Sequence, residues 1–154
     1  MNEIELKGKT LMVVGAHPDD NDFMGAATVA RASKLGCRII YVVATKGNRG
    51  SNDPKMTPQK LWKIRKQEQI DAGKLIGVDD FEFLGYNDGE LVADIVLKEK
   101  VVMLIRKYRP DIVFTMDPSL FYFKDRNFVN HTDHRAIGEA TMDAVYPLSR
   151  DLLS

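Results

Sequence analysis

The sequence predicts a single α/β domain over residues 1–154, a Rossmann-like three-layer fold with a mostly parallel sheet flanked by helices. Two observations carry this expectation. Four short β-rich runs alternate with longer segments of helical period. A chain of 154 residues, 44% of them hydrophobic, also has the apolar content for one sizeable core. No internal repeat, low-complexity tract or linker divides it.

The first run, "TLMVVGA", leads into a helix over 23–35, where Met24, Ala27, Ala30 and Leu35 fall near helical spacing and Gly36 is a natural stop. The second, "CRIIYVVAT", completes a βαβ unit. Next comes the clearest helix, "TPQKLWKIRKQEQIDAGKLIGV". Thr57 can cap it, Pro58 suits its first turn, and Leu61, Ile64, Ile70, Gly73 and Ile76 recur on one face. After the third run, "DFEFLGY", a helix over 91–108 is expected to turn Val92, Ile95, Val96, Val102 and Ile105 inward and to end before Pro110. The fourth run is "DIVFTMD". A last helix over 131–145 carries Ile137, Ala140, Met142 and Val145, and Pro147 ends it.

Charge and cysteine content narrow the partners. Lys and Arg total 22 and Asp and Glu total 22, so no net field draws the chain to nucleic acid or an anionic membrane. A small-molecule partner is the simpler expectation. Cys37 is the one cysteine and opens an apolar run, which suits a small buried side chain and a reducing, cytoplasmic setting. Neither a signal-peptide pattern nor a run near the roughly 20 apolar residues of a membrane span is present in the sequence.

The chemistry-bearing residues gather where strands end. "AHPDD" follows the first run, "KGNRGSNDPKM" the second and "DPSLFYFKDRNFVN" the fourth, and ligands of open α/β sheets bind outside such carboxyl ends. His17 offers an imidazole, Asp19 and Asp20 offer carboxylates, and Pro18 stiffens their turn. Adjacent carboxylates repel, and a divalent cation would relieve them. A plain polar turn capping the next helix explains "AHPDD" alone equally well.

The stretch "NHTDHRAIGEA" strengthens the metal reading. His131 and His134 are three residues apart, Asp133 can orient a ring, and all three histidines of the chain fall in these two stretches. Two histidines and a carboxylate with a fourth position open to water match what catalytic zinc requires. A structural zinc site would want four closed ligands, usually with cysteines.

Taken together, "AHPDD", "TKGNRG", "IRKQEQIDAGKLIGVDDFEFLGYNDGEL" and "NHTDHRAIGEA" resemble, in order and over nearly the whole chain, the LmbE/PIG-L family of N-acetylglucosamine deacetylases. The resemblance implies that His17, Asp20 and His134 bind Zn2+, with other divalent transition metals able to take the same ligands. It implies that Asp19 is the general base. His131 becomes the positive or hydrogen-bonding partner of the oxyanion, oriented by Asp133, and Arg65 and Asp88 match positions near the sugar. The implied partner is a small-molecule amino sugar, and the implied reaction removes its N-acetyl group.

Two departures from the family pattern stand out. Asn21 occupies the position where the family usually has Glu, which implies intact metal ligands, altered electrostatic support around Asp19 and tuned activity. Family members also commonly extend well past the final His-x-x-His helix, so the resemblance implies a domain lacking its C-terminal part and an apolar edge that a homo-oligomer would cover.

Three other functions compete with this one. A nicotinamide-binding Rossmann domain would need G-x-G-x-x-G, where this chain has "GAHPDD". A non-catalytic sugar-binding or scaffold protein would have no use for Asp19. A metal-dependent amidase acting on a different amide shares every residue named.

Overall fold

The computed structural model describes residues 6–151. The four apolar runs form strands β1 (Thr10–Gly15), β2 (Arg38–Thr45), β3 (Asp80–Tyr86) and β4 (Ile112–Thr115). All pairings are parallel and the order is β3-β2-β1-β4. β1 lies inside the sheet, with Val13 opposite both Tyr41 and Phe114. It is buried along nearly its whole length, which is why it reads as an unbroken apolar run.

Helices α1 (Asp20–Lys34), α2 (Pro58–Leu75), α3 (Ile95–Tyr108) and α4 (Thr132–Asp143) connect and cover the strands. The alternation along β1 and β2 sorts their side chains into two cores. Met12, Val14, Ile40 and Val42 meet Leu97 and Val101 of α3 and Ile137 and Ala140 of α4. Leu11, Val13, Ile39 and Tyr41 meet Val29 and Ala32 of α1 on the other face. Each such aliphatic side chain contributes about 1.5–3 kcal/mol by leaving water.

Local chemistry sets the helix starts. The Thr57 hydroxyl accepts from the Lys60 amide at 3.2 Å and Pro58 opens α2, as expected. In α3 the Asp94 carboxylate accepts from the Leu97 amide at 2.9 Å, so the helix begins at Ile95 and not at residue 91. That later start corrects the expected face. Val92, Ile95 and Val96 are exposed, while Leu97, Val101 and Val102 point inward. Similarly, Val29 and Ala32 carry the core face of α1, leaving Ala27 and Leu35 exposed. Ile64 on α2, Met142 in the last turn of α4 and Val145 just past its end are also exposed, whereas Ile137 and Ala140 are buried as expected.

The segment after β4, expected as a loop, contains a small antiparallel hairpin of β5 (Tyr122–Phe123) and β6 (Phe128–Val129). Strands of two residues show no alternation, so the sequence carries no period for them. The sheet places β4 at one edge, flanked by an apolar groove of about 870 Å³ that includes Leu11, Ala32, Ile112 and Phe114. No helix among the described residues is long and apolar enough to cross a membrane.

Candidate metal and catalytic site

β1 has β2 on one side and β4 on the other; the connection leaving β1 runs to α1 on one face and that leaving β4 to α4 on the other, which opens a crevice between their carboxyl ends. The turn after β1 occupies this crevice. Asp20 begins α1 and folds its carboxylate back, accepting from the amides of Ala16 at 3.1 Å and His17 at 2.6 Å. The same oxygen, Oδ2, lies 3.1 Å from His17 Nδ1, while Oδ1 lies 3.3 Å from His134 Nε2. Burial alone would raise the Asp20 pKa, but the hydrogen bonds from His134 and His17 outweigh it and hold the carboxyl far below the usual carboxylate range.

Asp19 is built differently. Its backbone has φ 143°, a left-handed conformation that disfavours a side chain, and its carboxylate is half exposed. Arg65 reaches across from α2, donating to Asp19 Oδ2 at 2.9 Å, the Pro18 carbonyl at 2.8 Å and the Gly47 carbonyl at 3.0 Å. Gly47 makes that approach feasible, because a Cβ there would sit 2.2 Å from Arg65 Nη1. Burial raises the Asp19 pKa, and the nearby arginine offsets this only in part.

α4 delivers the other histidines. A Cβ on Gly138 would lie 2.4 Å from the Met116 carbonyl, so glycine lets the helix pack directly on the backbone leaving β4. At its start His131 serves as the cap, its Nδ1 accepting from the Asp133 amide at 3.1 Å. In a neutral ring the proton then sits on Nε2, which lies 3.9 Å from Asp88 Oδ1. Burial and the positive charge of His17 lower the His131 pKa, which favours the neutral ring as a donor.

Two further carboxylates close on His17 from its other side. His17 Nε2 is 3.1 Å from Asp133 Oδ2 and 3.3 Å from Asp88 Oδ1. Burial disfavours the imidazolium, yet the bonds to Asp133 and Asp20 push the His17 pKa up to about 10. Asp133 is fully buried, and burial alone would raise its pKa; its bonds with His17, Gly89 and Leu91 lower it instead.

These residues fit a divalent cation. Asp20, Asp88 and Asp133 are all buried around one or two imidazoles, an anionic cluster that a cation would neutralise. His17, Asp20 and His134 offer donor atoms within 4.8 Å of one another, as do His17, Asp88, His131 and Asp133. Tetrahedral zinc with bonds near 2.0–2.1 Å separates adjacent donors by about 3.3 Å. In the first group His17 Nδ1 and His134 Nε2 lie 3.1 Å and 3.3 Å from the Asp20 carboxylate, each against a different oxygen, which is close to that edge.

The structure thus brings His17, Asp19, Asp20, Asp88, His131, Asp133 and His134 to one rim, with Arg65 behind Asp19. Asp133 lies closer to His17 than to His131, whose Nδ1 is 3.9 Å from Asp133 Oδ2. Asn21 points away from this cluster: it is fully buried and donates to the carbonyls of Val42 at 3.2 Å and Val13 at 3.4 Å, tying β1 to β2. Asp22 accepts from Tyr41 Oη at 3.1 Å and Gln69 Nε2 at 2.8 Å, again away from Asp19. One participant was not anticipated. Asn130 Oδ1 lies 3.0 Å from His134 Nδ1 while its amide nitrogen donates to the Leu120 carbonyl at 2.8 Å. The only sequence signal for it is an amide side chain four residues before a histidine.

Known proteins place the chain. The sequence profile of the PIG-L family, described as GlcNAc-PI de-N-acetylase, matches residues 12–145. A diacetylchitobiose deacetylase of Thermococcus kodakarensis is 29% identical over 137 residues, covering 89% of this chain and 49% of that one. A probable N-acetyl-alpha-D-glucosaminyl L-malate deacetylase 2 of Bacillus subtilis is 31% identical over 146 residues, covering 88% and 60%. The solved structure of N,N'-diacetylchitobiose deacetylase from Pyrococcus horikoshii, complexed with its inhibitor MPG, matches with a TM-score of 0.83 at 31% identity, covering 89% of this chain and 49% of that one. The chain spans about half to three fifths of the length of these relatives. With the profile running from the first strand through the last helix, and with the fold matched over 89% of its length, the chain belongs to the PIG-L (LmbE) family.

Proposed function

We propose that the protein is a zinc-dependent N-deacetylase, a hydrolase that removes the acetyl group from an N-acetylglucosamine-containing small molecule or glycoconjugate and releases acetate. The observation that carries this reading is the convergence of His17, Asp20 and His134, with donor atoms within 4.8 Å of one another, beside Asp19, a carboxylate left half exposed. We assign the metal to this group in preference to the overlapping one. In the latter, both oxygens of Asp133 already accept hydrogen bonds from backbone amides. Its relatives' names support an amino-sugar substrate.

When bound there, zinc would supply Lewis acidity towards an amide carbonyl and a water nucleophile of lowered pKa. Asp19 takes the proton from the attacking water. Its raised pKa makes it a better base than an ordinary aspartate, and Arg65 fixes its direction. His131 donates its Nε2–H to the oxyanion that develops on the carbonyl, with its ring held by the Asp133 amide. We assign Arg65 to bracing Asp19 and Pro18. Asp88 would meet the sugar from beneath the two imidazoles. A cytoplasmic setting is part of the proposal, since Cys37 is a buried free thiol.

The test is metal content together with acetate release, using protein expressed from its full gene and N-acetylglucosamine or its β-linked disaccharide as substrate. Near one equivalent of zinc with acetate production supports the reading. Stoichiometric zinc with no acetate from any N-acetyl sugar would favour an amidase of different specificity. Absence of zinc uptake would overturn the metal assignment.

A further inference from the structure

We infer that Asp133 is a positioning residue for the metal ligand His17 and for the turn carrying Asp88, so that metal occupancy and the order of that turn are coupled. The inference rests on the metal reading above, and it departs from the expectation that Asp133 serves His131.

Counting bonds at the Asp133 carboxylate leads to this assignment. Oδ2 accepts from the Gly89 amide at 2.7 Å and lies 3.1 Å from His17 Nε2. Oδ1 accepts from the Leu91 amide at 3.2 Å. His131 Nδ1 is 3.9 Å away, beyond hydrogen-bond reach, and already accepts from the backbone amide of Asp133. What holds His131 is therefore the main chain of residue 133, which any side chain there would preserve. The carboxylate itself holds His17 and the turn.

The consequence for His17 is a fixed tautomer. Asp133 Oδ2 can only accept, so His17 must keep a proton on Nε2, which leaves the Nδ1 lone pair for a metal. Nδ1 is also the nitrogen that faces Asp20 at 3.1 Å, on the side of the His134 donor. Ligating histidines usually bind a carboxylate through their second nitrogen in this way, and loss of that partner typically costs about 10–100-fold in metal affinity. Asp133 differs from a simple partner because the same oxygen bonds Gly89. A shift of the His17 ring on metal binding changes the bond that holds the 88–91 turn, and with it the place of Asp88.

The experiment is zinc affinity of the full chain, measured by competition with a chromogenic chelator, for Asp133→Asn and His131→Ala. Asp133→Asn is expected to bind zinc about 10–100-fold more weakly, because its amide must set one N–H against the donors it replaces. His131→Ala should match the parent protein. A parent protein that takes up no zinc sinks the metal reading and this inference with it. Normal zinc affinity in Asp133→Asn sinks the inference alone, and so does a loss shared equally by His131→Ala.

Should Asp133→Asn not fold, the unaltered chain still decides the question by ¹H–¹⁵N NMR. With zinc, His17 should carry its proton on Nε2, and exchange of the Gly89 and Leu91 amides should slow. A proton on Nδ1, or amide exchange at 89 and 91 indifferent to zinc, would overturn the assignment.

Discussion

The turn that leaves β1 and the segment that leaves β4 each supply part of one donor set, and they are held in opposite ways. In the first, the backbone-facing oxygen of Asp20 is fixed by amides of residues 16 and 17, within the turn itself, while Asp19 and Pro18 reach out to Arg65 and His17 to Asp133. In the second, His134 depends on Asn130, Asn130 on Leu120, and the helix on the close pass of Gly138 over Met116. A five-residue turn can fix its own geometry. The segment after β4 inherits its geometry from packing. Substitutions at the first should act singly, and those at the second should spread.

The contrast breaks most sharply at the ligands. His134→Ala removes a donor that only the second region supplies, so metal affinity should fall beyond the about 10–100-fold that follows loss of an outer hydrogen-bonding partner. Equilibrium dialysis against buffered zinc measures it. If the variant keeps parental affinity, the metal does not lie between the two regions.

Next in size is Asp19→Asn, which changes the β1 turn and its ion pair with Arg65 and leaves the second region untouched. Turnover should drop by about 10²–10⁴-fold, the range for loss of a positioned base, with metal content unchanged. Turnover and elemental analysis of the same sample separate the two readouts. Loss of metal would place Asp19 among the ligands.

A smaller effect is expected from Asn130→Ala, which leaves every ligand in place. The ring of His134 loses its only hydrogen-bonding partner on Nδ1 among the described residues, and zinc affinity should weaken by about tenfold. Because the same side chain ties the helix start to Leu120, hydrogen exchange should also quicken across 120–130. An effect confined to the metal would mean that the second region is as self-contained as the first.

The same difference explains what the sequence disclosed. "AHPDD" is legible because the backbone bonds that seat Asp20 close within four residues, and the helical spacing of His131 and His134 needs nothing beyond its own turn. The strands were legible as continuous apolar runs between helices. What holds the far nitrogen of His17 was not, since Asp133 lies 116 residues away and its neighbours at 89 and 91 act through amides that have no side-chain signature. The role expected of Arg65 failed to foresee its grip on Pro18 and Gly47 for a like reason: helical period gives a residue's face and not its reach. The face of α3 was misplaced because one cap, Asp94, starts the helix later than the apolar pattern begins.

The smallest effect concerns backbone strain, and it again separates the regions. Asp19 holds φ 143°, in a region sparsely populated by residues with a Cβ, at a cost of about 1–3 kcal/mol. Asn127, between β5 and β6, has φ 48°, the ordinary left-handed conformation that asparagine adopts readily. Asp19→Gly should relieve the strain while losing an ion pair whose half-exposed aspartate limits it to about 0–1 kcal/mol. Its net gain on urea unfolding should be about 1 kcal/mol, obtained at the expense of activity. Asn127→Gly should gain nothing measurable, and Asp19→Asn, which keeps the strain and loses the pair, should be slightly less stable than the parent. If Asp19→Gly proves no more stable than Asp19→Asn, the turn after β1 is not strained, and the exposure of its base follows from Pro18 and Arg65 alone.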